Sequence, residues 1–384
     1  MLDRWLFLTA GGATLVAALG VPALAAARAG TDRRFVFVIQ RGAADGLATV
    51  APVGDPAFAA LRGVWAEDAA AGARLDGFFS LHPALAETAK LYANGEALFV
   101  HAVASPYRER SHFDGQNVLE SGGNAAYRLK DGWMNRLLGL LPPAESSALA
   151  LSATVPVSLR GANEVSSYAP SRLPAATDDL LMRVGMMYEA DEQLHAMWQS
   201  AMQTRAAAGD LARETGRNGA AMGELAARLL SGEEGARVAM IETGGWDTHA
   251  NQRPRLTAQL RGLDGLLAAL RSGLGAEWDR TLVVVATEFG RTARPNGTGG
   301  TDHGTASAAM LLGGAVEGGK VVADWPGLAE HALYEGRDLR PTTGLDALIA
   351  GALAQHYGFD TRQAMRALFP EGRGTALRTA LVGA

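Results

Sequence analysis

Five short runs of apolar, β-prone residues constrain this chain more than any other feature. They lie at 35–39 (FVFVI), 97–103 (ALFVHAV), 236–243 (ARVAMIET), 281–289 (TLVVVATEF) and 307–314 (SAAMLLGG). The first is continuous rather than alternating, as expected of a strand buried on both faces of a parallel sheet. The segment 148–161 (ALALSATVPVSLRG) adds one or two short strands. Helical patterns fall between the runs, at 82–95 with Gly95 as C-cap, at 252–275 and at 345–358. Alternating strands and helices define the expected fold class: α/β, a mostly parallel central sheet flanked by helices on both faces. One domain over 30–384 is expected, with a helical insertion at about 177–230. The methionine and aromatic stripe of "DDLLMRVGMMYEADEQLHAMWQSAMQ" in that insertion reads as core packing.

Residues 1–29 differ from the rest. Arg4 precedes an apolar stretch over 5–27 that closes on small residues, the layout of a secretory signal peptide. A periplasmic or secreted protein is expected, with no stable membrane insertion after cleavage; an uncleaved membrane anchor is the plainer alternative, since the apolar stretch is about long enough to span a bilayer. The 384-residue chain contains no cysteine, which excludes disulfides and thiolate metal sites. Its net charge of −5 gives no pull towards nucleic acid. Nothing in the sequence signals an oligomeric state.

In open parallel sheets, ligands bind beyond the carboxyl ends of the strands. That rule gathers scattered residues into one candidate site. Asp45 follows the first run. Arg108, Arg110, Ser111 and His112 follow the second, just before a helix. Asp247 and His249 follow the third, Glu288 ends the fourth, and Asp302 with His303 precede the fifth. Each has a plainer reading. Asp45 fits a turn, Ser111 a helix N-cap, and Glu288 a pairing with Arg291 or Arg294. Together, the imidazoles and carboxylates suit a divalent cation, zinc or manganese ahead of magnesium or calcium. A serine at a helix N-terminus suits an activated nucleophile, and Arg108 or Arg110 an anion clamp. The histidines at 82, 101, 195, 331 and 356 read as structural.

The order of these motifs resembles the alkaline phosphatase and sulfatase superfamily. The phrases "RGAADGL", "RSHFDGQN", "GGWDTH", "TEFGRT" and "GGTDHG" resemble, more closely, a family of exported bacterial proteins within it, catalogued as a domain of unknown function. The resemblance covers nearly the whole mature chain. It implies an alkaline phosphatase-like fold. It also implies Ser111 at the nucleophile position and two metal sites: Asp247, His249 and His303 for one, Asp45, Ser111 and Glu288 for the other. One departure stands out: the strand "TLVVVAT" leads into Glu288-Phe289 where the superfamily has Asp-His. Asp302, or His112 beside the serine, is the candidate replacement for the missing imidazole. Two functional readings follow. One is an exported metal-dependent hydrolase of small phosphate or sulfate esters. The other is a non-catalytic periplasmic binding or assembly protein, facing a cell-surface polymer, on the same scaffold.

Overall fold

The computed structural model describes residues 32–169, 178–189, 191–208 and 218–383. The expected signal peptide lies outside the described residues. The strands are β1 (Arg34–Gln40), β2 (Val50–Ala51), β3 (Ala73–Arg74), β4 (Ser80–Leu81), β5 (Ala97–Ala104), β6 (Ala148–Leu151), β7 (Ser166–Ser167), β8 (Val238–Thr243), β9 (Thr281–Ala286), β10 (Ser307–Leu312), β11 (Val321–Val322) and β12 (Thr343–Gly344). Nine of them form the central sheet, in the order β11-β5-β10-β9-β1-β8-β6-β7, with β12 also on β5. β1 runs parallel to both its neighbours, and only β10 runs antiparallel, against β5 and β9. A small second sheet holds β2, β4 and β3.

The apolar run of β1 explains its place at the centre. All seven of its residues are buried, and alternate side chains go to opposite faces. Phe35 and Phe37 meet Trp133 edge-on, at 5.9 and 5.2 Å between ring centroids. The helices Trp133–Leu138, Leu345–Tyr357 and Thr361–Leu368 cover that face. Val36 and Val38 face the other layer, where the helices Gly219–Leu230 and Gln252–Leu274 supply Leu225, Leu260, Leu263 and Leu267. Each such fully buried leucine contributes roughly 1.5–3 kcal/mol. The sheet is therefore mixed α/β with helices on both faces.

Two expectations change here. The helix Gly219–Leu230 buries seven of its residues in the main core, so it belongs to the covering layer rather than to an insertion. The methionine stripe is not core packing. The helices Asp178–Tyr188 and Glu192–Ala208 leave Met182, Met186, Met187 and Met197 exposed, at 54–76 %. Helical periodicity shows that a face is apolar; it does not say which element, if any, covers it.

Two buried histidines make the fold acid-sensitive. His101, fully buried in β5, has its Nε2 at 2.9 Å from the Val50 carbonyl and accepts from the Ala102 N–H on Nδ1. His356 approaches the Arg34 carbonyl through Nε2 at 3.0 Å. Burial lowers their pKa values to about 4 and about 3. The unfolded chain binds protons on both from about pH 6.5 downward while the fold holds them neutral. Stability is therefore present above pH 6.5 and falls with pH below it. The expected loss is about 2.7 kcal/mol per pH unit from the two residues together, easing as pH passes their folded values. Denaturant unfolding at pH 7, 6 and 5 reads this slope directly. A flat unfolding free energy across that range would contradict it.

Candidate metal centre

The three middle strands end at a common level, since Ile39 of β1 is level with Glu242 of β8 and Ala286 of β9. Their following loops therefore meet at one rim. The first and second of these loops touch at Gly42. Its φ is +119°, and a Cβ there would lie 2.5 Å from the backbone nitrogen of Asp247, so only glycine fits. The glycine-rich loop closes in the same way: a Cβ on Gly300 would lie 2.2 Å from the carbonyl carbon and oxygen of His249. These approaches bring segments from 42 to 303 into one cluster.

At its centre is Asp247. Its Oδ1 lies 3.0 Å from His249 Nε2 and 3.5 Å from the Nε2 atoms of both His112 and His303. His249 Nε2 and His303 Nε2 are 2.9 Å apart. His112, Asp247 and His303 each offer a ligand atom within 4.8 Å of the others. Each imidazole is held from behind through Nδ1. His112 Nδ1 meets Glu288 Oε1 at 2.8 Å, His303 Nδ1 meets the Arg110 carbonyl at 2.8 Å, and His249 Nδ1 meets Asp302 Oδ1 at 3.1 Å. All three partners are acceptors, which turns each ring with Nδ1 towards its partner and Nε2 towards the cluster.

His112 Nε2, His303 Nε2 and Asp247 Oδ1 thus form one group, and His249 Nε2 adjoins it beside His303 and Asp247. His112 Nε2 is buried with no hydrogen-bond partner. Tetrahedral zinc with nitrogen ligands has ligand–ligand edges of about 3.3 Å, near the 3.5 Å from Asp247 Oδ1 to both His112 Nε2 and His303 Nε2. Carboxylate or carbonyl partners behind metal-bound imidazoles are the usual way of fixing tautomer and ring direction. The residues present therefore fit one zinc-type ion. Glu288 raises the pKa of His112, chiefly through their hydrogen bond, so protons and metal compete for the same lone pair.

Several residues expected at the site do other work. Asp45 is not a ligand. Both its oxygens are taken by Arg62, at 2.6 and 3.0 Å, and Gln252 Nε2 adds 2.6 Å. The pair is buried, and Asp45 also caps the short helix Gly46–Thr49 through the Ala48 N–H. Burial pushes the Asp45 carboxyl up, but the Arg62 charge and bonds hold it below its ordinary value. Glu288 and Asp302 stand behind the imidazoles rather than beside them as ligands. Glu288 is fully buried, and Gly42 N–H and Gln116 Nε2 also donate to its Oε1. Its pairing is with His112, not with Arg291 or Arg294. Arg110 does not clamp an anion with its guanidinium, which binds Asp338 at 2.9 Å and Glu335 at 2.5 Å. Its contribution is the carbonyl that orients His303. Ser111 occupies the N-cap of the helix His112–Ser121, but its hydroxyl makes no capping bond, and its N–H donates to Tyr107 Oη. From this loop it is His112 that reaches the cluster.

Sequence reasoning missed the role of Arg291. Its side chain is fully buried, Nη2 donates to Asp247 Oδ1 at 2.8 Å, and Nε and Nη1 have no partner. The only signal was its position two residues past Phe289. Phe289 stacks on His112 at 5.1 Å and packs at 5.3 Å from His303. It stands at the sequence position where the resemblance implied an imidazole. Among the described residues the cluster has ligands for one ion, not two.

The model of a family described as "Protein of unknown function (DUF1501)" matches residues 32–369. The chain belongs to the DUF1501 family. No curated protein matches it by sequence. Solved structures similar to this DUF1501 chain include the C-terminal periplasmic domain of EcEptC from Escherichia coli in complex with Zn. That likeness has 11 % identity and a TM-score of 0.39, covering 93 % of this chain and 94 % of that one. Alkaline phosphatase from the Antarctic bacterium TAB5 gives 12 % identity and a TM-score of 0.34, over 73 % and 90 %. Ps i-CgsB in complex with k-i-k-neocarrahexaose gives 10 % and 0.41, over 88 % and 74 %. None of these carries a residue role into the DUF1501 chain. Among its described residues, no helix is long and apolar enough to cross a membrane.

Proposed function

We propose that this DUF1501 protein is an exported, metal-dependent hydrolase of phosphate or sulfate esters. The observation that carries the reading is the grouping of His112 and His303 with Asp247, with His249 adjoining and every imidazole held from behind. A divalent cation bound there, zinc or manganese by its donor set, supplies Lewis acidity at the rim of the sheet. Asp247 and the three histidines hold it. Arg291 sets Asp247 through its Nη2, and its buried positive charge favours an anion at the same rim. Ser111, whose hydroxyl is not used as a cap, is the hydroxyl nearest in sequence to His112. It is proposed as nucleophile or as the group that orients water. The apolar leader supports export.

A second reading rests on Phe289. With that ring stacked on His112, and with Asp45 bound to Arg62, a two-ion clamp on a phosphoryl group has no second set of ligands among the described residues. A single ion would then be structural, and the protein would bind a cell-surface polymer or an assembly partner. Metal analysis of the purified protein, with turnover assays on aryl phosphates and aryl sulfates, separates the two. Stoichiometric metal with turnover supports hydrolysis. Stoichiometric metal in a folded sample with no turnover on either ester class supports binding.

Glu288 gives a finer test. Glu288→Gln keeps the shape and leaves an acceptor for Gly42, but removes the charge that sets His112. Metal affinity is expected to fall about 10–100-fold. Competition with a chelator of known affinity measures it. Unchanged affinity would mean that His112 is not a ligand.

A further inference from the structure

Away from the metal centre, a cavity of about 630 Å³ opens beyond the carboxyl ends of β5 and β12. The helix His112–Ser121 presents its far end to this cavity, through Val118 and Leu119, while its first residue faces the metal cluster. Ile349 and Phe369 complete an apolar floor. The volume is that of a site for a small organic molecule.

Charge sets the chemistry. Two arginines and two carboxylates line the space: Arg108, Arg373, Asp346 and Glu371. Of the two carboxylates, only Glu371 has a cationic partner. Glu371 accepts from the Asn124 N–H at 3.0 Å and pairs with Arg128 at 3.0 Å. Asp346 turns its Oδ1 to the Ala347 N–H in the first turn of the helix Leu345–Tyr357. The arginines have no carboxylate partner within ion-pair distance among the described residues. Arg108 is half-buried and donates only to the backbone carbonyls of Ser105 and Tyr107. Burial lowers its pKa, and no carboxylate offsets that effect. A desolvated guanidinium bordering an apolar cavity without a counter-ion is costly unless a ligand supplies the charge.

We infer that this cavity is a binding site for an amphiphilic organic anion, its apolar body on Val118, Ile349 and Phe369 and its carboxylate or phosphate head on Arg108, with Arg373 at the mouth. The inference does not depend on the metal centre, and its test needs no turnover.

The fluorescent probe 8-anilinonaphthalene-1-sulfonate has the required body and head. Saturable one-to-one binding to the full mature chain is expected. Decanoate and decyl phosphate should displace it, and whichever does so better identifies the head group. The neutral decanol should displace it at least about tenfold less well, because a charged hydrogen bond is lost. Arg108→Gln should weaken probe binding about tenfold, and Ile349→Phe, which fills the floor, should weaken it as well. Asp346→Asn should not weaken it. Thermal melts confirm that each variant is folded. Lack of saturable binding overturns the inference, as does equal displacement by decanol, or binding unchanged in both folded variants.

Discussion

His303→Ala is expected to abolish stoichiometric zinc or manganese binding and to reduce any ester turnover to background. His303 Nε2 belongs to the group with His112 and Asp247, at 2.9 Å from His249 Nε2 and 3.5 Å from Asp247 Oδ1. Removing a partner behind an imidazole costs about 10–100-fold in metal affinity, so removing the imidazole itself should cost more than about 100-fold. This substitution is cleaner than Asp247→Ala. Asp247 also neutralises the buried Arg291, and losing it would leave that guanidinium without a carboxylate at a cost of about 3 kcal/mol or more. Metal content is measured by elemental analysis after gel filtration, and fold integrity by thermal melting. The decisive control is the unaltered protein. If it binds neither zinc nor manganese at near one ion per chain, the hydrolase reading fails whatever the variants do.

Asp45→Ala is expected to lower unfolding free energy by about 3–5 kcal/mol while leaving metal content at one ion per chain. The carboxylate is buried against Arg62, whose side chain is 1 % exposed. Its removal strands a charged guanidinium in the interior, and that uncompensated charge dominates the effect. The pair itself is worth less than this loss suggests, because burying both charges also costs desolvation. A double replacement, Asp45→Leu with Arg62→Met, should therefore recover most of the stability. Denaturant unfolding of the two singles and the double closes the cycle. Loss of metal in Asp45→Ala, with stability intact, would instead restore the reading in which Asp45 is a ligand.

These two substitutions divide the residues that looked alike in sequence. Asp45 and Asp247 each lie a few residues beyond a buried strand. One is enclosed by Arg62 and Gln252, which lie 17 and 207 residues away; the other meets three imidazoles. Glu288 and Asp302 show the same limit, since each carries a charge at the expected rim but sits behind an imidazole. Arg291 read only as a partner for Glu288, because an arginine after a strand is unremarkable until its neighbours are known. The methionine stripe reads equally well as core or surface in one dimension, and the described structure leaves it exposed.

What the sequence determined by itself was the sheet and its rim. Runs of apolar β-prone residues have one low-energy fate, burial on both faces between helices, and the residues that follow such strands must emerge at their carboxyl ends. The short-range chemistry of glycine and helix-forming segments added the turns and the covering layers. The tertiary structure alone decided which of the charged residues at that rim became candidate ligands, which oriented a neighbour and which were consumed in a buried pair. Those roles depend on lone-pair direction and on partners distant in the chain. Differences of one to two ångströms there change a carboxylate from metal donor to counter-ion, and no local pattern encodes them.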